Sequence, residues 1–157
     1  MLDLITGAAL EVATNDTDRE LSVARPSRSV SAVRDASAVP HGWRAFASCV
    51  LHRESGATLD RRQSGVGARN GSSSASGRWQ MLDASGWRSG GAWNVQKRLV
   101  RFGAPRSQAA DVRQYLAARP ISTWNGLWQD MAAFETLESG GWRHWANGDR
   151  CDGLVPR

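Results

Sequence analysis

A mainly α domain is predicted by three observations on this sequence. Apolar residues recur at the three- and four-residue spacing of a buried helix face in several segments. No hairpin signal competes with them. A single long Gly/Ser/Arg-rich loop separates the first of these helices from the others, and it is where a minor β element would sit. With 157 residues the chain is long enough for one domain with a core of its own, and hardly for two.

Residues 1–40 hold no aromatic residue and carry four arginines against six acids. All eight tryptophans fall between Trp43 and Trp145, and the net charge of the whole chain is +5, so the basic balance also lies beyond Pro40. This shift divides the chain into an N-terminal extension (1–40), flexible alone or ordered by docking on a partner, a domain (41–151) and a tail (152–157). Leu154 to Arg157, LVPR, has the pattern of an engineered protease-cleavage site and is left out of the fold reasoning.

Within the domain, Trp43, Phe46, Ala47, Val50 and Leu51 mark one face of a helix over 43–54 that stops before Gly56. The loop LDRRQSGVGARNGSSSASG (59–77) follows, long enough inside a compact domain to suggest function. A short helix is expected over RWQMLDAS (78–85). Two more cover 92–103 and 107–119, the second stopped before Pro120. The last runs from an N-cap at Ser122 through an inward stripe of Trp124, Leu127, Trp128, Met131, Phe134 and Leu137 to Gly140 or Gly141.

Composition narrows the functional classes. Lys97 is the only lysine; every other basic residue is arginine, which prefers bidentate anion contacts and stacking on rings. Such a surface suits an anionic polymer, nucleic acid or cell wall. No run of apolar residues is long enough for a membrane span. The N-terminus MLDLITGAALEVA has acids where a secretory signal has a positive stretch, so no signal peptide is expected in the chain as given. Cys49 and Cys151 bracket most of the domain; they are either a disulfide, which implies an oxidising compartment, or two unrelated thiols.

Glu54 stands at the end of the first helix in CVLHRESG. There it faces the negative end of the helix dipole beside apolar neighbours, which favours the protonated form that a general acid needs. On position alone an ordinary exposed glutamate explains it as well. The segments around it add to the argument. RESG, a variable loop, SSASGRWQML and then Trp87 together resemble the lysozyme-like superfamily of peptidoglycan-cleaving enzymes. Within it, the likeness is to lytic transglycosylases and the resuscitation-promoting-factor type of domain. The matching residues are Glu54 and Ser55 in one motif and Ser76, Gly77, Trp79 and Gln80 in the other, with GGWRHWANGDRC similar to the family's C-terminal part.

The resemblance spans about residues 42–151 and implies a lysozyme-like helical domain with a Gly/Ser-rich active-site loop. It implies Glu54 as catalytic acid, with Ser76, Trp79, Gln80 and Trp87 binding substrate, on the β-1,4 bond between MurNAc and GlcNAc. A hydrolase usually needs a second carboxylate, for which Asp60 and Asp83 are the candidates in the region. A lytic transglycosylase manages with Glu54 alone, which mildly favours that outcome. Gln80 otherwise caps a loop carbonyl; Trp124 and Trp128 sit at core spacing; Trp142 and Trp145 fit either role. Arg61, Arg62, Arg69 and Arg78 meet wall anions or are solvated.

Three rival readings stand beside this one. Cys49, His52, His144 and Cys151 supply two Cys and two His for zinc, at a spacing that matches no usual motif. A nucleic-acid module fits the basic balance, without a recognised motif. A non-catalytic wall-binding relative is the third. The sequence leads to the expectation of a peptidoglycan-cleaving enzyme without cofactor or metal, with Cys49 and Cys151 disulfide-bonded. It is expected to act outside the cell, at the wall or on a virion, carried by a phage tail, lysis or secretion apparatus through residues 1–40.

Overall fold

The computed structural model describes residues 28–83 and 85–157, for residues 28, 29 and 85–87 without their side chains. Five α-helices order those residues: α1 (Arg28–Ala36), α2 (Arg44–Ser55), α3 (Ser85–Arg101), α4 (Arg106–Ala117) and α5 (Gly126–Glu138). Between α2 and α3 lies a two-stranded antiparallel hairpin, β1 (Ala75–Ser76) with β2 (Met81–Leu82), in the register Ala75 to Leu82 and Ser76 to Met81. Short 3-10 turns at Ile121–Thr123, Gly141–His144 and Asp152–Leu154 complete the chain. The mainly α expectation therefore holds, and the minor β element sits at the end of the Gly-rich loop.

Helix α5 is the centre of the packing. Residues 129–135 are all buried, and the helix serves two cores. Ala133, Phe134 and Leu137 join Phe46, Val50 and Leu51 of α2 with Trp79, Trp145 and Cys151. Met131 and Ala132 join Val95 and Leu99 of α3, Leu116 of α4, Ile121 and Trp124. A helix buried on this many sides has to be enclosed, and side chains of α2, α3 and α4 pack around it, with Gln129, Asp130 and Glu135 buried among the apolar residues. Gly126 opens α5 because its Cα passes so close to the Arg62 carbonyl that no Cβ would fit.

Several boundaries differ from expectation. Asn125, not Ser122, caps α5: its side chain accepts the Leu127 N–H at 2.9 Å, while residues 121–123 close a separate 3-10 turn after Pro120. The short helix expected over 78–85 is absent. Gly77–Gln80 is the hairpin turn, and Gln80 at φ 48 cannot continue a right-handed helix. Helix α3 begins at Ser85, earlier than the apolar spacing implied.

Residues 28–40, grouped by composition with the extension, pack on the body. Ala32 and Ala36 are buried, Arg98 of α3 donates to the carbonyls of Ala36 and Ala38, and Arg62 donates to the Ser37 hydroxyl at 2.8 Å. The tail also packs on the body, contrary to its reading as a cleavage-site remnant without a part in the fold: Val155 lies against the α2 core and Pro156 covers Gly42.

Candidate active site

The last turn of α2 carries Glu54 and stops at Gly56, whose left-handed backbone (φ 67) returns its N–H to the His52 carbonyl at 3.0 Å. Ser55 then ties that end to the hairpin turn, its hydroxyl donating to the Arg78 carbonyl at 2.7 Å. The tie brings Gln80, in the same turn, to the cleft that Glu54 lines. Two motifs 26 positions apart in sequence thus meet at one place.

That cleft has a volume of about 540 Å³. Glu54 and Gln80, Trp93 and Asn94 of α3, and Thr136 and His144 are among its lining residues. Asn94 donates to the Thr136 hydroxyl at 2.9 Å, bridging α3 and α5. Trp93 is 46% exposed, and the Arg113 guanidinium lies 5.0 Å from its ring centroid. An exposed indole plane beside hydrogen-bonding groups is the arrangement a pyranose ring favours.

Glu54 is half-buried and ion-paired. Arg53 donates to its Oε1 from Nε at 3.0 Å and Nη2 at 2.7 Å, a cation that the dipole argument left out. Burial works against the Arg53 charge, but bonds to Asp149 and Glu54 outweigh it and raise its hold on the proton. Asp149 is held below the usual carboxylate range, first by Arg53 and then by the Cys151 N–H.

The other expected site residues are dispersed. Trp79 is wholly buried, its indole N–H donating to Asp130 at 2.8 Å and its ring edge-on to Phe134. It is a core residue rather than a sugar wall, because it follows Arg78 into the interior. Ser76 is likewise buried and lies outside the cleft lining. The Trp87 side chain lies outside the described residues. Asp60 is exposed, paired with Arg44 at 3.2 Å, and borders a different cavity; Asp83 is bound to Arg88 at 2.8 Å and to the Ile121 N–H. Neither lines the cleft with Glu54.

Arg78, expected at the surface, is wholly buried. It donates to the carbonyls of Thr58, Arg61 and Arg62 and sits 3.0 Å from Asp130. Cys49 and Cys151 are bonded to each other, which removes both sulfurs from the zinc alternative. Among the described residues no group of three or more His, Cys, Asp or Glu side chains could hold a metal ion.

Sequence reasoning missed Trp93, Asn94, Thr136 and the Arg53–Asp149 contact. Trp93 had a legible signal: it stands beside, not on, the inward stripe of Ala92, Val95 and Leu99, and a large aromatic off the buried face has another use. Thr136 and Asp149 had none, since only the tertiary arrangement brings them near α2 and α3. Comparison with family models, with characterised proteins and with solved structures finds no match.

Proposed function

We propose that this domain cleaves the glycan strands of peptidoglycan at the β-1,4 bond between MurNAc and GlcNAc, with Glu54 as general acid in a lysozyme-like arrangement. One observation carries the reading. Glu54 and Gln80, drawn from two separate motifs, line the same cleft as the exposed Trp93. Glu54 protonates the leaving oxygen. Both Arg53 bonds go to Oε1, so Oε2 is the oxygen placed to pass a proton to the substrate. Once the proton has gone, Arg53 stabilises the carboxylate left behind. Gln80 and Asn94 hydrogen-bond sugar substituents and Trp93 stacks on a ring.

The lytic transglycosylase outcome is the one favoured, because neither Asp60 nor Asp83 lines the cleft as a second carboxylate. In that reaction the Glu54 carboxylate takes the proton from the MurNAc 6-hydroxyl as that oxygen bonds to C1, closing an anhydro ring. The Cys49–Cys151 bond supports action in an oxidising place such as the wall. Delivery by a larger assembly remains part of the proposal.

The test is mass spectrometry of fragments released from purified peptidoglycan, beside Glu54→Gln. Anhydro-MurNAc ends that fall by about a hundredfold or more in the variant are expected. Reducing MurNAc ends would make the enzyme a muramidase. Equal release by both proteins would sink the assignment of Glu54.

A further inference from the structure

We propose that Arg53 and Asp149 are positioning residues that hold the Glu54 carboxylate at the cleft, and that the Cys49–Cys151 bond makes this hold depend on oxidation. The proposal rests on the reading of Glu54 as the acid.

Arg53 and Glu54 are neighbours on a helix, and neighbouring side chains there point about 100° apart without facing each other. Their contact therefore needs an outside anchor for the guanidinium. The C-terminal turn supplies it. Arg53 Nη1 donates to Asp149 Oδ2 at 2.7 Å and to Asn147 Oδ1 at 3.2 Å, and Nη2 donates to the Trp145 carbonyl at 2.6 Å. With that half of the fork fixed, Nε and Nη2 are left to meet Glu54 Oε1. A lysine could not do this, because one ammonium cannot span both carboxylates with a planar fork.

Asp149 is fixed in turn. Its Oδ1 accepts the Cys151 N–H at 2.7 Å, and Cys151 is fully buried and bonded to Cys49. Cys49 lies four residues before Arg53, one turn back along α2, so the disulfide and the Arg53–Asp149 ion pair join the same stretch of helix to the same C-terminal turn. The covalent tie keeps the ionic one in register. Without it, only the noncovalent contacts of Arg53 hold the Asp149 turn to α2, and the anchor that turns the guanidinium toward Glu54 loosens.

The experiment measures kcat and KM on soluble glycan strands for the oxidised wild type, Glu54→Gln, Asp149→Asn and Arg53→Lys. Wild type and Asp149→Asn are also measured after reduction, with near-ultraviolet circular dichroism as the check on folding. Asp149→Asn keeps an oxygen for the Cys151 N–H but loses the charge. It is expected to lower kcat about tenfold with KM within about twofold, since misplacing a catalytic group costs rate rather than binding. Arg53→Lys should lose at least as much, and Asp149→Glu should recover part of the loss. Reduction should lower wild-type kcat by a similar factor yet change Asp149→Asn by less than about twofold, because both act through one contact.

Full kcat in folded Asp149→Asn, beside an inactive Glu54→Gln, would overturn the proposal and leave the Glu54 assignment standing. Release unaffected by Glu54→Gln would remove both. Equal loss on reduction in wild type and Asp149→Asn would overturn the redox dependence. If Arg53→Lys fails to fold, the Asp149 series decides alone.

Discussion

Gln80 is the one residue other than glycine, among those described, whose backbone is left-handed. Holding a side chain at φ 48 costs about 1–3 kcal/mol, and such strain gathers at functional sites. The side chain returns little of that cost: its Nε2 donates to the Gly77 carbonyl at 3.0 Å, part-buried at the cleft edge. Gln80→Gly is therefore expected to keep or raise the thermal midpoint while glycan release drops about tenfold. A lower midpoint would assign Gln80 to the turn and not to substrate. Trp93 makes the complementary case. Half-exposed, with the Arg113 guanidinium over its ring, it should tolerate Trp93→Ala within about 0.5 kcal/mol in urea unfolding. KM for glycan strands should rise about tenfold, and an unchanged KM would take the ring out of the site.

At the scale of elements, the loop between α2 and the hairpin shows how a Gly/Ser-rich stretch becomes a fixed part of a site. Interior polar groups hold it. Arg78 gathers three of its carbonyls, and buried Gln129 of α5 accepts the Arg78 N–H at 2.8 Å while donating to the carbonyls of Val66, Ile121 and Trp124. Bonds such as those to the Arg62 and Val66 carbonyls give the loop backbone partners from the protein interior in place of water. The loop also lies on the start of α5, where Gly126 faces the Arg62 carbonyl. Gly126→Ala would push the loop off α5. We expect a loss of about 1–3 kcal/mol in urea unfolding, the range for overpacking, together with reduced glycan release. An Ala variant as stable as wild type would show that the loop moves freely there.

Across the whole molecule, the Arg78–Asp130 pair shows what burial does to charge. Arg78 Nε lies 3.0 Å from Asp130 Oδ1 but makes no hydrogen bond to it. Burial pushes the Asp130 carboxyl up to about 6, against the pull of Arg78 and the Trp79 N–H, and it lowers the Arg78 pKa as well. The unfolded carboxyl titrates near 3.8. Between that value and about 6 the folded protein holds a proton that the unfolded chain has released, so stability falls as pH rises through this window. At pH 4 wild type and Asp130→Asn should unfold at similar temperatures. By pH 7 the wild-type midpoint should have dropped relative to the variant. A difference that stays flat from pH 4 to 7 would show that the pair compensates its own burial.

The sequence by itself determined the helical class, the α2 face of Phe46, Ala47, Val50 and Leu51, the inward stripe of α5, and Glu54 with Gln80 as residues worth following. Those features are local, because apolar spacing and a glycine stop act within a few residues. Asn70-Gly71 is a turn signal legible in the sequence, and the Arg69–Ser76 bridge closes around it. The tertiary structure alone decided that Trp79 and Arg78 turn inward while Trp93 turns out, that residues 28–40 belong to the body, and that Asp149 reaches Arg53. A side chain's fate there depends on what the rest of the chain packs around it. Trp79 and Trp93 are the same residue type; Trp79 packs among α2, α5 and Trp145, whereas Trp93 lines the cleft.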